Sequence, residues 1–147
     1  MKQHGSTVQQ IDDATVKRYF DGAGGGTAAT LSMMAHEHNL PACAARYRRH
    51  KEVRTISDWL KTVSDSGRVL DVGCGAGAWA AVFSERYKIV IGVEQSTMML
   101  KAARERVARL PNVTIFEGDA RSDLPEGHFD LIFLGGLCME CTPPARQ

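Results

Sequence analysis

The stretch Val69-Leu-Asp-Val-Gly-Cys-Gly-Ala-Gly-Ala-Trp-Ala80 restricts this chain more than any other, because an apolar run passes straight into glycines at every second position. The run reads as a buried strand, and the glycines as the tight turn that carries it into a helix beginning near Ala76. Glycine lacks the Cβ that disfavours positive φ and keeps a ligand off the backbone, so Gly73, Gly75 and Gly77 mark a place where main chain and ligand meet. In open α/β sheets that place lies beyond the carboxyl end of a strand. Asp71, at the strand end ahead of the first glycine, separates this turn from a dinucleotide fingerprint. A carboxylate there repels a pyrophosphate and suits a cationic ligand. The spacing alone does not decide, since Gly73, Gly75 and Ala78 also satisfy the looser Gly-x-Gly-x-x-Gly/Ala pattern.

Two later segments repeat the arrangement of an acid at a strand end. Glu94 closes the apolar run 88–93, about 20 residues beyond the turn, where a carboxylate accepts two hydrogen bonds from a ribose diol, of NAD or of another adenosine ligand. Asp119 follows the run 113–117 in the same way. The spacing predicts strands over 68–72, 88–93, 112–117 and 129–134, with helices over 76–86 and 96–110 between them, and this alternation means a parallel sheet. Ser96 is placed to cap the second of these helices, and Met98, Met99, Leu100, Ala103 and Val107 supply its buried side. Residues 118–128 are too few for a crossover helix, so a loop or a single helical turn makes that crossing.

Upstream, residues 6–20 read as a helix stopped by Asp21-Gly22, followed by the glycine-rich stretch Gly22 to Gly26 as a turn or a hinge. A second helix covers 28–38 and ends before Pro41, because a residue preceding proline is pushed out of helical φ/ψ. A third runs from Pro41 towards Val63, with Val53, Ile56, Trp59, Leu60 and Val63 as its apolar stripe and Trp59 in the core. Arg46, Arg48, Arg49, His50 and Lys51 on that helix form a basic cluster, either a solvated face or an attractor for an anionic substrate or the cofactor carboxylate. The expected organisation is a helical cap over 1–65 and a ligand-binding α/β unit over 66–147.

The chain has 147 residues, 18 basic against 17 acidic side chains and a formal charge of +1, so it lacks the broad positive field of a nonspecific nucleic-acid binder. No apolar run approaches the roughly 20 residues needed to span a bilayer, and no secretory pattern opens the sequence, so a cytoplasmic protein with reduced cysteines and no membrane partner is expected. Cys138-x-x-Cys141 has the spacing of half a zinc site, but no second Cys/His pair completes it. His36-Glu-His38 places its histidines on different faces of a helix, so no metal site is expected.

These segments together resemble the class I S-adenosylmethionine-dependent methyltransferases. Asp71-Val-Gly-Cys-Gly-Ala-Gly77 is similar to the family's first motif, Gly92-Val-Glu94-Gln95-Ser96 to its acidic second, Glu117-Gly-Asp119-Ala120 to its third, and Phe129 to Leu134 to its fourth strand. The resemblance implies a Rossmann-like, mainly parallel sheet of order 3-2-1-4 with helices on both faces. It implies S-adenosylmethionine as cofactor and S-adenosylhomocysteine as product. Asp71 and the backbone of Gly73, Cys74, Gly75 and Gly77 would hold the methionine part, and Glu94, with Gln95 beside it, the ribose. Asp119 would accept from the adenine amino group and the Ala120 backbone would face the ring. By analogy Tyr19, on an N-terminal helix closing over the cofactor, joins the site.

The activity implied is methyl transfer to oxygen or nitrogen of a small metabolite, in which positioning does most of the chemistry. A base is needed only by an acceptor that must lose a proton, and His36, His38, His50 and Glu140 are candidates that read equally as exposed polar residues, so no catalytic residue is assigned. Family members continue through three more strands, whereas this sequence stops soon after the fourth. The fourth strand is thus expected as an apolar edge that a second copy or another chain covers. Two rival readings follow: a non-catalytic binding or assembly module, and an NAD-dependent oxidoreductase, against which Asp71 and Asp119 both stand.

Overall fold

The computed structural model describes residues 12–23 and 41–135. In chain order these form α1 (Asp13–Ala23), α2 (Ala42–Leu60), β1 (Arg68–Val72), α3 (Ala78–Ser84), β2 (Ile89–Glu94), α4 (Thr97–Val107), β3 (Val113–Glu117) and β4 (Leu131–Phe133). The four strands make one parallel sheet, as the alternation predicts, in the order β3-β2-β1-β4 that the family resemblance implies. In register, Leu70 of β1 lies beside Ile91 of β2 and Ile132 of β4. All three connections are therefore crossovers, and the chain reverses its direction across the sheet between β3 and β4, which puts the switch point at the carboxyl end of β1.

One face of the sheet carries the main core. Val69, Val90, Ile115 and Leu131 pack there against Leu60 of α2, Ala80 and Phe83 of α3, and Leu100, Ala103 and Val107 of α4. Each of these side chains larger than alanine, taken out of water, contributes about 1.5–3 kcal/mol before entropy is counted. Tyr87 fixes α2 to this core, donating its hydroxyl to the Leu60 carbonyl at 2.7 Å. On the other face Leu70, Val72, Ile91 and Val93 pack with Ala120 and Phe129 from the β3–β4 connection. Among the described residues that connection is loop and turn, so the described helices that cover the sheet all lie on one face.

Four sequence expectations shift, the first being that Met98, expected on the buried side of α4, is 38% exposed. Trp59 is 50% exposed rather than core. The buried direction of α2 is set by Leu60, with Ile56 one turn before it, and one residue is about 100° of helix rotation, which turns Trp59 away. α1 does not stop at Asp21-Gly22 but continues to Ala23, because it is docked on α4 and its Asp21 is engaged there. β4 is three residues long instead of six, since only Val69, Leu70 and Asp71 offer it partners. The helix expected over 28–38, together with His36, His38, Cys138, Glu140 and Cys141, lies outside the described residues.

Candidate functional site

The site is assembled by the glycine turn folding over onto β2. Gly73, Gly75 and Gly77 all take positive φ (67°, 53° and 73°), a conformation costly to any residue with a Cβ. The N–H groups of Gly73 and Cys74 both donate to the Val93 carbonyl, at 2.9 and 3.0 Å. The Gly75 N–H donates to Glu94 Oε2 at 2.8 Å, and the Gly77 N–H to the Cys74 carbonyl at 3.0 Å. These four donors are spent inside the fold. A phosphate cradle works the other way, with its N–H groups aimed outward at the anion.

The three glycines have different duties. A Cβ on Gly75 would meet no atom within 4 Å, so this Cα faces open space and leaves room for a ligand against the backbone. A Cβ on Gly77 would come within 3.2 Å of the Ala103 backbone, so this glycine serves the contact between the start of α3 and α4 rather than the crevice. Cys74 is buried, and its side chain points to the sheet near Gly92. Burial pushes its thiol well above the usual range, so it stays a thiol and only its backbone borders the turn.

Glu94 is the centre of the arrangement. It is buried, its Oε2 accepts from Gly75 and its Oε1 accepts from the Ser96 N–H at 2.8 Å. Burial raises its pKa and these main-chain bonds oppose that rise. Asp71 is buried too, at 2% exposure, and its pKa is pushed up to about 7, chiefly by burial, with Arg49 and the Ala80 N–H pulling it back. Its Oδ2 has no hydrogen-bond partner among the described residues. A buried acceptor left over in this way suits a cationic donor.

The third strand end lies next to Glu94, tied by a bond from the Gly118 N–H to the Glu94 carbonyl at 3.1 Å. Asp119 there is half-buried and already engaged: its carboxylate accepts from the Arg121 N–H at 2.8 Å and from Nη2 of the same residue at 2.6 Å. Arg121 holds the Asp119 pKa down to about 2. Ala120 is half-buried against the sheet face formed by Leu70 and Ile91. Gln95, also half-buried, lies between the two positions of the β2 end that do the bonding, Glu94 and Ser96.

Asp21 and Ser96, expected from sequence as a helix stop and a helix cap, also connect the N-terminal helix to this site, and Ser96 does cap α4. Ser96 Oγ donates to Asp21 Oδ1 at 2.7 Å while accepting from the Met99 N–H at 3.3 Å, so one hydroxyl both caps α4 and latches α1. The bond to Ser96 lowers the Asp21 pKa. Tyr19, the aromatic singled out from sequence, is 45% exposed and stands edge-on to Phe20 at 5.4 Å between ring centroids. Phe20 is the ring that reaches Ala76 of the turn and Met99 of α4. His50 lies away from these groups, exposed along α2.

A parallel sheet with its switch point at a glycine turn, and carboxylates at the ends of neighbouring strands, defines a nucleoside-binding α/β protein. The sequence profile of a family described as a methyltransferase domain matches residues 69–147, more than half of the chain, and the chain belongs to this family. Among curated relatives, it is 37% identical over 91 residues to a trans-aconitate 2-methyltransferase of Azoarcus, covering 59% of this chain and 35% of that protein. It is 40% identical over 96 residues to a 23S rRNA (uracil(1939)-C(5))-methyltransferase of Shewanella sediminis, covering 64% of this chain and 21% of that protein. Among solved structures it resembles an S-adenosylmethionine-bound amino pentose methyltransferase of Micromonospora echinaspora, with 35% identity and a TM-score of 0.51. That likeness covers 64% of this chain and 41% of the other. The chain thus spans less than half the length of each of these proteins.

Proposed function

We propose that this chain is the cofactor-binding part of an S-adenosylmethionine-dependent methyltransferase acting on oxygen or nitrogen of a small metabolite. The observation that carries the reading is the pairing of an inward-bonded glycine turn with two buried carboxylates. The turn offers no ring of outward N–H groups to a pyrophosphate, while Asp71 leaves a buried acceptor for an ammonium and Glu94 keeps lone pairs for ribose hydroxyls. Asp71 and the open backbone at Gly75 take the methionine end, Glu94 with Gln95 the ribose, and Asp119 and Ala120 the base. When bound, the cofactor supplies an electrophilic methyl group on a sulfonium. The residues around it have to bury the reacting centre and hold an acceptor in line, which is positioning rather than acid–base work.

Residues 1–65 act in this proposal as a cap, with Phe20 and the Asp21–Ser96 latch seating α1 beside the crevice, and residues 66–147 as the cofactor unit. The formal charge of +1 favours a small acceptor over a nucleic acid, although one relative is named for rRNA. A cytoplasmic location belongs to the same proposal; among the described residues Cys43 and Cys74 are free thiols, and no described helix is long and apolar enough to cross a membrane.

A second reading has its own support: a non-catalytic module whose sheet pairs with another chain. β4 has no strand partner on its outer side among the described residues, and Ile132 and Leu134 are 54% and 45% exposed. Calorimetric titration of the chain with S-adenosylhomocysteine and, separately, NADH tests the cofactor assignment. One site per chain for the first and none for the second is expected, and the reverse would replace the methyltransferase reading with the oxidoreductase one. Sedimentation together with a methyl-transfer assay then separates the enzyme from the assembly module.

A further inference from the structure

Away from the strand ends, a cleft of about 400 Å³ runs along the outer side of α3, lined by Arg46, Arg49, His50, Ala78, Glu85 and Arg106. It shares none of Asp71, Gly75, Glu94 or Asp119 with the crevice, and its volume falls in the range of small-molecule sites. Three guanidiniums and an imidazole from two helices face it, with Glu85 as the single lining acid among the described residues. The two inner arginines are half-buried.

Arg49 is positioned in advance: its guanidinium lies 4.6 Å from the centroid of the Trp79 ring, and Nη1 is 3.5 Å from Glu52 Oε2. Arg106 differs, because its Nε is buried with no hydrogen-bond partner and no ion pair joins it to a described residue. Burial lowers the pKa of both groups; at Arg49 the carboxylates of Glu52 and Asp71 oppose the lowering and the charge of Arg106 adds to it. Arg49 thus has acids that offset it, whereas Arg106 is a desolvated cation facing a second one across the cleft, an arrangement that an anion bound between them relieves.

We propose that this cleft is a second ligand site, which binds a phosphate-bearing small molecule through Arg46, Arg49, His50 and Arg106. Phosphate is favoured over a single carboxylate because several guanidiniums converge from two sides. A tetrahedral dianion presents enough oxygens to engage both inner arginines at once, and guanidinium matches phosphate geometry well. The site does not depend on the methyltransferase reading, since it rests on different side chains.

The test is thermal unfolding and calorimetry of the whole chain with inorganic phosphate and with glycerol 3-phosphate, each against sodium chloride of equal ionic strength. Either phosphate compound should raise the melting temperature above the chloride control, as a ligand of the folded state does. Tighter binding of the ester than of the free ion would identify a phosphorylated metabolite as the source, and the opposite order free phosphate. Arg106→Gln should weaken the binding by about tenfold or more, the effect of losing a hydrogen bond from a charged group. Exposed Arg46→Gln should weaken it too without unfolding risk, and both variants should keep their affinity for S-adenosylhomocysteine. Lys61→Gln, at the far end of α2, should change nothing. The proposal is overturned if chloride stabilises as much as phosphate, if Arg46→Gln binds phosphate like the wild type, or if Lys61→Gln weakens binding equally, which would mean a diffuse field.

Discussion

Glu94 and Asp119 occupy equivalent positions at the ends of neighbouring strands, yet the fold treats them in opposite ways. Glu94 is buried and held by two main-chain N–H groups, from Gly75 and Ser96, and burial raises its pKa. Asp119 is only half-buried and held by an exposed neighbour, Arg121, which lowers its pKa to about 2. A carboxylate fixed by backbone is preorganised, so a ligand that meets it spends little on ordering. A carboxylate engaged by an exposed arginine must exchange one partner for another. Binding energy should therefore concentrate at the β1–β2 end of the crevice, with the β3 end adding selectivity for the base.

The sharpest way to break this contrast is at the turn itself. Gly75→Val places a β-branched residue at φ 53° and fills the open space beside the backbone. Loss of detectable S-adenosylhomocysteine binding is expected, with about 1–3 kcal/mol of stability lost to backbone strain. Calorimetry paired with circular dichroism distinguishes the two effects, and normal binding in a folded variant would show that the turn does not touch the ligand.

Asp71 gives the next largest effect, through pH. Its folded pKa of about 7 lies above the unfolded value of 3.8, so folding favours the neutral form. The contribution of this group is fully present below the unfolded value and declines as pH rises from there towards 7. Asp71→Asn should flatten that decline and raise the melting temperature at pH 8 above the wild type, by on the order of several degrees. A variant whose melting curve follows the wild type at every pH would place the decline elsewhere.

The latch is worth less. Asp21→Ala removes the acceptor for Ser96 Oγ and should cost about 1 kcal/mol, seen as faster hydrogen exchange along α1 with the sheet unaffected. Unchanged exchange would mean that Phe20 alone seats the helix. Smallest of all is Arg121→Ala, which should alter stability at pH 7 by less than about 1 kcal/mol, because the pair is at the surface. Since Asp119 has a lowered pKa, what the pair contributes is present above pH 3.8 and lost as pH falls towards 2. A larger loss at neutral pH would make Arg121 part of the frame of the site, and the contrast with Glu94 would weaken.

The parallel sheet, the acids at the strand ends and the special conformations of the three glycines could be read from the sequence, because each follows from local pattern: apolar runs, glycine spacing and alternation of elements; strand order comes only with the family resemblance. The contacts that join distant segments could not. Asp21 and Ser96 are 75 positions apart, and nothing in either neighbourhood announces the other. Gly77 resembles Gly75 in sequence, and only the approach of Ala103 shows that one serves packing and the other faces open space. Trp59 fits an apolar stripe by spacing, yet the helix rolls so that Leu60 is buried and the indole is exposed. Arg49 and Arg106 could not be connected either, since their meeting depends on how α2 and α4 flank α3.

The claim on which the rest depends is that Glu94 holds the ribose of S-adenosylmethionine. Calorimetric titration of S-adenosylhomocysteine into wild type and Glu94→Ala, with thermal unfolding as the control for the turn, addresses it most directly. The account predicts binding weakened by about 1–3 kcal/mol through loss of the charged hydrogen bonds to the hydroxyls. Equal affinity in the two folded proteins would contradict it, and would remove Glu94 from the cofactor site.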